Sequence, residues 1–115
     1  MDDCIFCRIV RGEIPATIVK RSDDAVAFRD LDPRAPTHVL VIPTRHVAAV
    51  RDAAGADGEL LLGRTLAFAA EVARDLGLDG GGYRIVTNTG PDAGQSVDHL
   101  HLHLLGGRRL TWPPG

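Results

Sequence analysis

His99-Leu100-His101-Leu102-His103-Leu104-Leu105 decides how this chain is read. Alternation with a period of two predicts a β-strand, because every second side chain of a strand points to the same face. The three imidazoles then project from one face, and Leu100, Leu102 and Leu104 fill the other. They are three of the chain's five histidines. Setting three titratable rings side by side in a partly buried place is costly unless each has a polar partner. Packing alone does not call for them. One reading is a His-x-His metal site. The sharper reading is that at least one imidazole is a nucleophile or general base.

The bulk numbers bound the rest. A chain of 115 residues makes one domain, 1–115, with a single core. Its 44% hydrophobic and 24% charged content is that of an ordinary soluble protein. A net charge of −2 offers no basic face for nucleic acid. Met1-Asp2-Asp3 is acidic and lacks the basic-then-apolar pattern of a signal peptide. No apolar run approaches the ~20 residues a membrane span requires. A cytoplasmic location, with no nucleic-acid or membrane partner, is the expectation. Two cysteines there do not make a disulfide framework.

Working outward from the histidines, Thr89 to Ser96 is a polar, glycine-bearing loop and Tyr83 to Asn88 a strand. The histidine strand is expected to close the sheet. A long helix runs from about Gly58 to Leu76, with an apolar stripe of Leu62, Leu66, Ala69, Val72 and Leu76 and a stop at Gly77. Phe68, Ala70 and Ala73 lie off that stripe, so the helix has apolar surface left to bury. His38 to Ile42 is a buried central strand ended by Pro43, with a short helix around His46 to Arg51. Asp32 to Pro36 is a loop, since two prolines forbid a regular element. Thr17–Lys20 and Ala25–Phe28 flank Ser22-Asp23-Asp24 as a hairpin. Cys4 to Arg11 reads as a short helix ended by Gly12. The sum is an α+β domain: five mostly antiparallel strands with one long helix over a face.

Two further motifs carry chemistry. Gly94-Gln95-Ser96 stands directly before the histidines, where a glycine lets backbone approach an anion and successive N–H groups can form a phosphate nest. Ser96 adds a hydroxyl that can protonate a leaving amine, and Asn88 a further donor to phosphate. Cys4-x-x-Cys7 admits a redox pair, two metal ligands in need of two more, or plain thiols.

His99-x-His101-x-His103 followed by two apolar residues resembles the motif of the histidine triad (HIT) nucleotide-binding proteins. Asp30-Leu31-Asp32-Pro33-x-Ala35-Pro36-Thr37-His38, Ile42-Pro43-x-x-His46, Asn88-x-Gly90 and Gly94-Gln95-Ser96 stand in that family's order and spacing. The ending Trp112-Pro113-Pro114-Gly115 is similar to the Hint-type adenosine phosphoramidase branch, from which Thr111 and Asp98 depart. The resemblance implies a HIT-like fold that joins a second copy in a two-fold homodimer with one continuous sheet. It implies a purine nucleoside phosphoramidase acting on AMP or GMP conjugates, in which His101 attacks the α-phosphorus and water hydrolyses the nucleotidyl-histidine. One His101 nitrogen must then donate to a fixed acceptor, for which the His99 carbonyl is nearest, while His103 donates to a phosphate oxygen and His38 supports from behind. Asp30 would accept from the ribose hydroxyls, and Ile5, Phe6, Ile9, Phe28 and Leu31 would form the base slot. Trp112 would reach the partner's leaving-group side. Relatives with this CxxC imply a structural Zn²⁺ at Cys4, Cys7, His46 and His99, with no cofactor needed for catalysis. Alternatives are a dinucleoside polyphosphate hydrolase and a non-catalytic nucleotide-binding module.

Overall fold

The computed structural model describes residues 3–115. Five strands form one antiparallel sheet: β1 (Ile18–Arg21), β2 (Ala25–Arg29), β3 (Thr37–Pro43), β4 (Tyr83–Val86) and β5 (Leu102–Gly106). Their spatial order is β1-β2-β3-β5-β4. A short helix, α1 (Ile5–Val10), precedes them, and a long one, α2 (Gly55–Asp75), runs between β3 and β4 in sequence. The expected α+β architecture is the observed one.

The central strand β3 explains the layering. Val39 and Val41 join Ala25, Ala27, Leu102 and Leu104 beneath Phe68, Ala69, Val72 and Ala73 of α2. Leu40 and Ile42 point the other way, to Val26 and Phe28 and to Phe6 and Ile9 of α1. A strand covered on both faces reads as an unbroken apolar run, as this one does.

Several boundaries and one face differ from expectation. The buried face of α2 is Thr65, Phe68, Ala69, Val72 and Ala73, whereas Leu66 is 51% exposed and Leu62 only half-buried. Thr65 faces the core because its hydroxyl donates to the Leu61 carbonyl at 2.7 Å, so no polar group is left unpaired. The helix ends as expected at Gly77, whose φ of +75° suits a residue without Cβ. There Leu78 N–H reaches the Ala73 carbonyl and Gly77 N–H that of Arg74, a Schellman stop that also buries Leu78 against Ala73. The short helix expected at His46 to Arg51 is only a 3₁₀ turn over Val50–Asp52. Strand β4 ends at Val86, leaving Thr87 and Asn88 beyond it.

The histidine stretch is the instructive difference. Strand β5 starts at Leu102, so His99 and His101 precede the ladder. The register sets Leu102 against Val41; continued, it would set Leu100 against Pro43, which has no N–H to give. Leu100 instead sends its N–H to the Val47 carbonyl at 2.7 Å, and the His101 carbonyl accepts from the Thr87 hydroxyl at 2.9 Å. The alternation of faces survives. His99 and His101 both meet Phe6 of α1, while Leu102 and Leu104 lie under α2. Nor does this strand close the sheet: it lies between β3 and β4, and β4 is the edge.

Candidate active site and thiol–imidazole cluster

His101 is buried, 3% exposed, on the α1 side of the sheet. Its Nδ1–H donates to the His99 carbonyl at 2.8 Å, the acceptor expected from the sequence. That bond fixes the tautomer and leaves Nε2 with the lone pair, the state in which an imidazole attacks an electrophile. The ring stands edge-on to Phe6 and to His103, with centroids 5.2 and 5.1 Å away.

A second line of bonds fixes His103. The backbone N–H of Arg34 donates to His38 Nδ1 at 3.1 Å, so the His38 proton is on Nε2. His38 Nε2 lies 2.9 Å from His103 Nδ1 and 3.4 Å from an Asp30 carboxylate oxygen. Donation from His38 makes His103 Nδ1 an acceptor and places the His103 proton on Nε2, where it can be given to a ligand. Burial lowers the pKa of both rings; for His103 the neighbouring His101 and His38 add to it, and for His38 Asp30 opposes it. Both are therefore neutral at pH 7. Asp30, His38 and His103 stand close enough to suggest a metal triad. The proton on His38 Nε2 makes them a hydrogen-bonded line instead. His38 thus supports His103 from behind, and Asp30 keeps its other oxygen on the Asp32 N–H at 2.8 Å.

Beside the rings is a cleft of about 270 Å³. Ile5, Phe6, Ile9, Phe28 and Leu31, the residues of the expected base slot, all line it, together with Asp30 and Ser96. Leu31 is 99% exposed and forms only its rim. Ile14, Pro15, Ala16, Arg29, Leu40 and Val97 complete the wall and are not among the residues expected in the cleft, since nothing in their spacing marks them. In the loop before the histidines, Gly94 adopts a left-handed φ of +79°. Gln95 is spent on the loop itself: its amide donates to the Ala48 and Val97 carbonyls and accepts from Gly90 N–H. It shapes this segment rather than offering a free donor. Ser96 is exposed, and Asn88 is half-buried two residues beyond β4. Trp112 is 81% exposed, on a tail held to β4 by Arg84, which donates to the Thr111 carbonyl at 3.0 Å.

Cys4, Cys7, His46 and His99 form a second constellation, their ligand atoms all within 4.8 Å of one another. Cys7 Sγ lies 3.3 Å from His46 Nδ1 and 3.5 Å from His99 Nδ1, and Cys4 Sγ lies 3.5 Å from His99 Nδ1. The two Nδ1 atoms are 3.2 Å apart. Tetrahedral zinc with ordinary bond lengths has N···N edges of about 3.3 Å and N···S edges of about 3.5 Å. His99 Nε2–H donates to the Pro43 carbonyl at 2.9 Å, which turns the Nδ1 lone pair toward the thiols. Burial, aided by Cys4, raises the Cys7 thiol pKa, and burial lowers that of His99. A divalent cation reverses the first by holding thiolate. The donor set can hold a metal ion.

An antiparallel sheet with one covering helix, carrying three spaced histidines beside an apolar cleft, defines the histidine-triad class of nucleotide-binding folds. The HIT domain family model matches residues 11–110, and the chain belongs to the HIT family. It is 52% identical over 114 residues to an uncharacterised HIT-like protein of Synechococcus elongatus, covering 99% of this chain and 98% of that one. It is 46% identical over 109 residues to the purine nucleoside phosphoramidase of Escherichia coli K12, covering 95% and 91%. The crystal structure of a HIT family hydrolase from Legionella pneumophila superposes with a TM-score of 0.94 at 50% identity, over 98% of this chain and 100% of the other. Among the described residues no helix is long and apolar enough to cross a membrane.

Proposed function

We propose that this chain is a hydrolase of purine nucleoside phosphoramidates, working through a nucleotidyl-histidine. The observation that carries this reading is the 2.8 Å bond from His101 Nδ1–H to the His99 carbonyl, which leaves Nε2 free to attack. Attack on the α-phosphorus forms the Nε2–P bond and breaks the P–N bond, and the Ser96 hydroxyl supplies the proton the leaving amine takes. His103 Nε2–H donates to a phosphate oxygen as negative charge builds there. Water then cleaves the Nε2–P bond, its oxygen bonding to phosphorus and one of its protons restoring the Ser96 hydroxyl, and AMP or GMP is released. Asp30 receives the ribose, and the cleft the base. Asn88 and the Gly94–Ser96 backbone hold the phosphate. The chain's 46% identity to a protein named purine nucleoside phosphoramidase supports the substrate class.

Zinc is the cation this reading assigns to Cys4, Cys7, His46 and His99, about one per chain. Held by four protein ligands it supplies cross-linking rather than an activated water, so the chemical steps are metal-independent. A homodimer belongs to the same reading. Leu62 and Leu66 on the outer side of α2 and the free edge of β4 are the surfaces for it, and Trp112 the residue that reaches the partner's site. Turnover of a fluorogenic adenosine phosphoramidate beside diadenosine tetraphosphate tests the activity, with mapping of the trapped nucleotidyl group to His101. Turnover of the tetraphosphate alone would replace the reading with a polyphosphate hydrolase, and AMP binding with no turnover of either with a binding module.

A further inference from the structure

His99 serves two arrangements through opposite ends. Its ring meets Cys4, Cys7 and His46 through Nδ1 and is steered by the Pro43 carbonyl through Nε2. Its own carbonyl receives the His101 Nδ1–H at 2.8 Å. With both ring nitrogens engaged the side chain has little freedom, and the carbonyl that orients His101 belongs to the same residue.

Helix α1 repeats this linkage on a larger scale. Its six residues are too few to be stable as a helix alone. Cys4 and Cys7 reach the cluster from it, while Ile5, Phe6 and Ile9 line the cleft. The Phe6 ring touches the edges of both His99 and His101, at 5.9 and 5.2 Å between centroids. The opening beside Cys4 and His46 and the cleft share Ile5, Ser96 and Val97 as a common wall.

We propose that the thiol–imidazole cluster, loaded with a divalent cation, is a positioning device for His101 and for the nucleoside cleft. Occupancy fixes α1 and the His99 backbone, and through them the tautomer and direction of the nucleophile. Cys4, Cys7, His46 and the His99 ring are positioning residues, none of which touches the reacting phosphorus. This rests on the reading of His101 as nucleophile and extends it. A plain staple could fasten α1 anywhere. Here both thiols and three residues of the cleft wall lie between Cys4 and Ile9, and the fourth donor is the residue whose carbonyl holds His101.

The test uses zinc-loaded wild type, His46→Ala and His46→Cys. His46 lies in the connection after β3, outside both α1 and the histidine stretch. The readouts are zinc content, the low-field ¹⁵N-resolved Nδ1–H resonance of His101, AMP affinity by calorimetry, and kcat with KM on the adenosine phosphoramidate. In His46→Ala zinc is lost, the resonance moves or broadens, AMP affinity falls about tenfold and kcat about 10- to 100-fold. His46→Cys restores four donors and, with zinc, recovers all of these. Should His46→Ala fail to fold, Cys4→Ser is read the same way, because serine keeps the N-cap of α1. A zinc-free, less stable variant that keeps the resonance, the AMP affinity and kcat within twofold overturns the proposal. A wild type with no phosphoramidase activity whose resonance and AMP affinity still follow zinc would overturn the proposed function and support this one.

Discussion

Removing the His38 ring tests the bond line that fixes His103. In His38→Ala the Nδ1 of His103 loses the donor that stands 2.9 Å away. A buried acceptor left without its partner costs about 1–3 kcal/mol. His103 escapes that penalty by moving its proton to Nδ1, which strips Nε2 of the hydrogen it would give to phosphate. Returning that proton to Nε2 in the transition state then costs up to the same 1–3 kcal/mol, about 5- to 150-fold in kcat/KM. His38→Gln keeps an N–H donor near the position of Nε2 and should retain most of the activity. The assay is steady-state turnover of an adenosine phosphoramidate by both variants, with melting temperatures measured in parallel, since His38 is buried and its removal leaves a cavity. Activity of His38→Ala within twofold of wild type would refute the argument. So would a glutamine variant that falls as far as the alanine one.

His101→Ala should lower kcat at least ~10³-fold while leaving AMP affinity nearly unchanged, because the nucleophile acts only in the transition state; calorimetry and single-turnover kinetics check both halves. Burial lowers the folded pKa of His38 and His103 below the unfolded value, so the unfolded chain binds more protons between the two values. Their contribution to stability is therefore whole above about pH 6.5 and is lost as pH falls through the lowered folded values; melting temperatures that rose on acidification from pH 7 to 5 would contradict this. Deleting Trp112 to Gly115 should change preference among leaving amines more than affinity for AMP, as measured across a series of phosphoramidates. Leu66→Glu on the exposed side of α2 should shift a dimer toward monomer in sedimentation at micromolar concentration, and an unchanged sedimentation coefficient would count against that face.

What the sequence made legible follows from where one physical signal dominates. The apolar run of β3 and the glycine stop of α2 have single causes, and both are where the residues put them. The core face of α2 misled because the bulky Leu62 and Leu66 outweigh Thr65 in any hydrophobic pattern, and only the bond to the Leu61 carbonyl explains why the threonine goes inside. The histidines announced themselves, but the true start of β5 depends on Pro43 in another strand. At the site, side chains distinctive in type, such as Cys4, Cys7, His46 and His99, are found together as expected. Thr87, which holds the His101 carbonyl, and the Arg34 N–H, which sets the tautomer of His38, gave no sign. Any loop threonine or main-chain amide looks the same until the chain has folded.

The position of β5 between β3 and β4 also sets a timetable. As the polypeptide leaves the ribosome, β1, β2 and β3 can form a meander from neighbouring residues. The far side of β3 then stays without a partner until residues 102–106 have been made and slot in. During that interval His38-Val39-Leu40-Val41-Ile42 is an open apolar strand of the kind that recruits other chains. The last strand to arrive both quenches this hazard and brings His103 to His38 and His101 to Phe6. A chain cut short before it would be sticky as well as inert, so aggregation and loss of chemistry should appear together in truncation products.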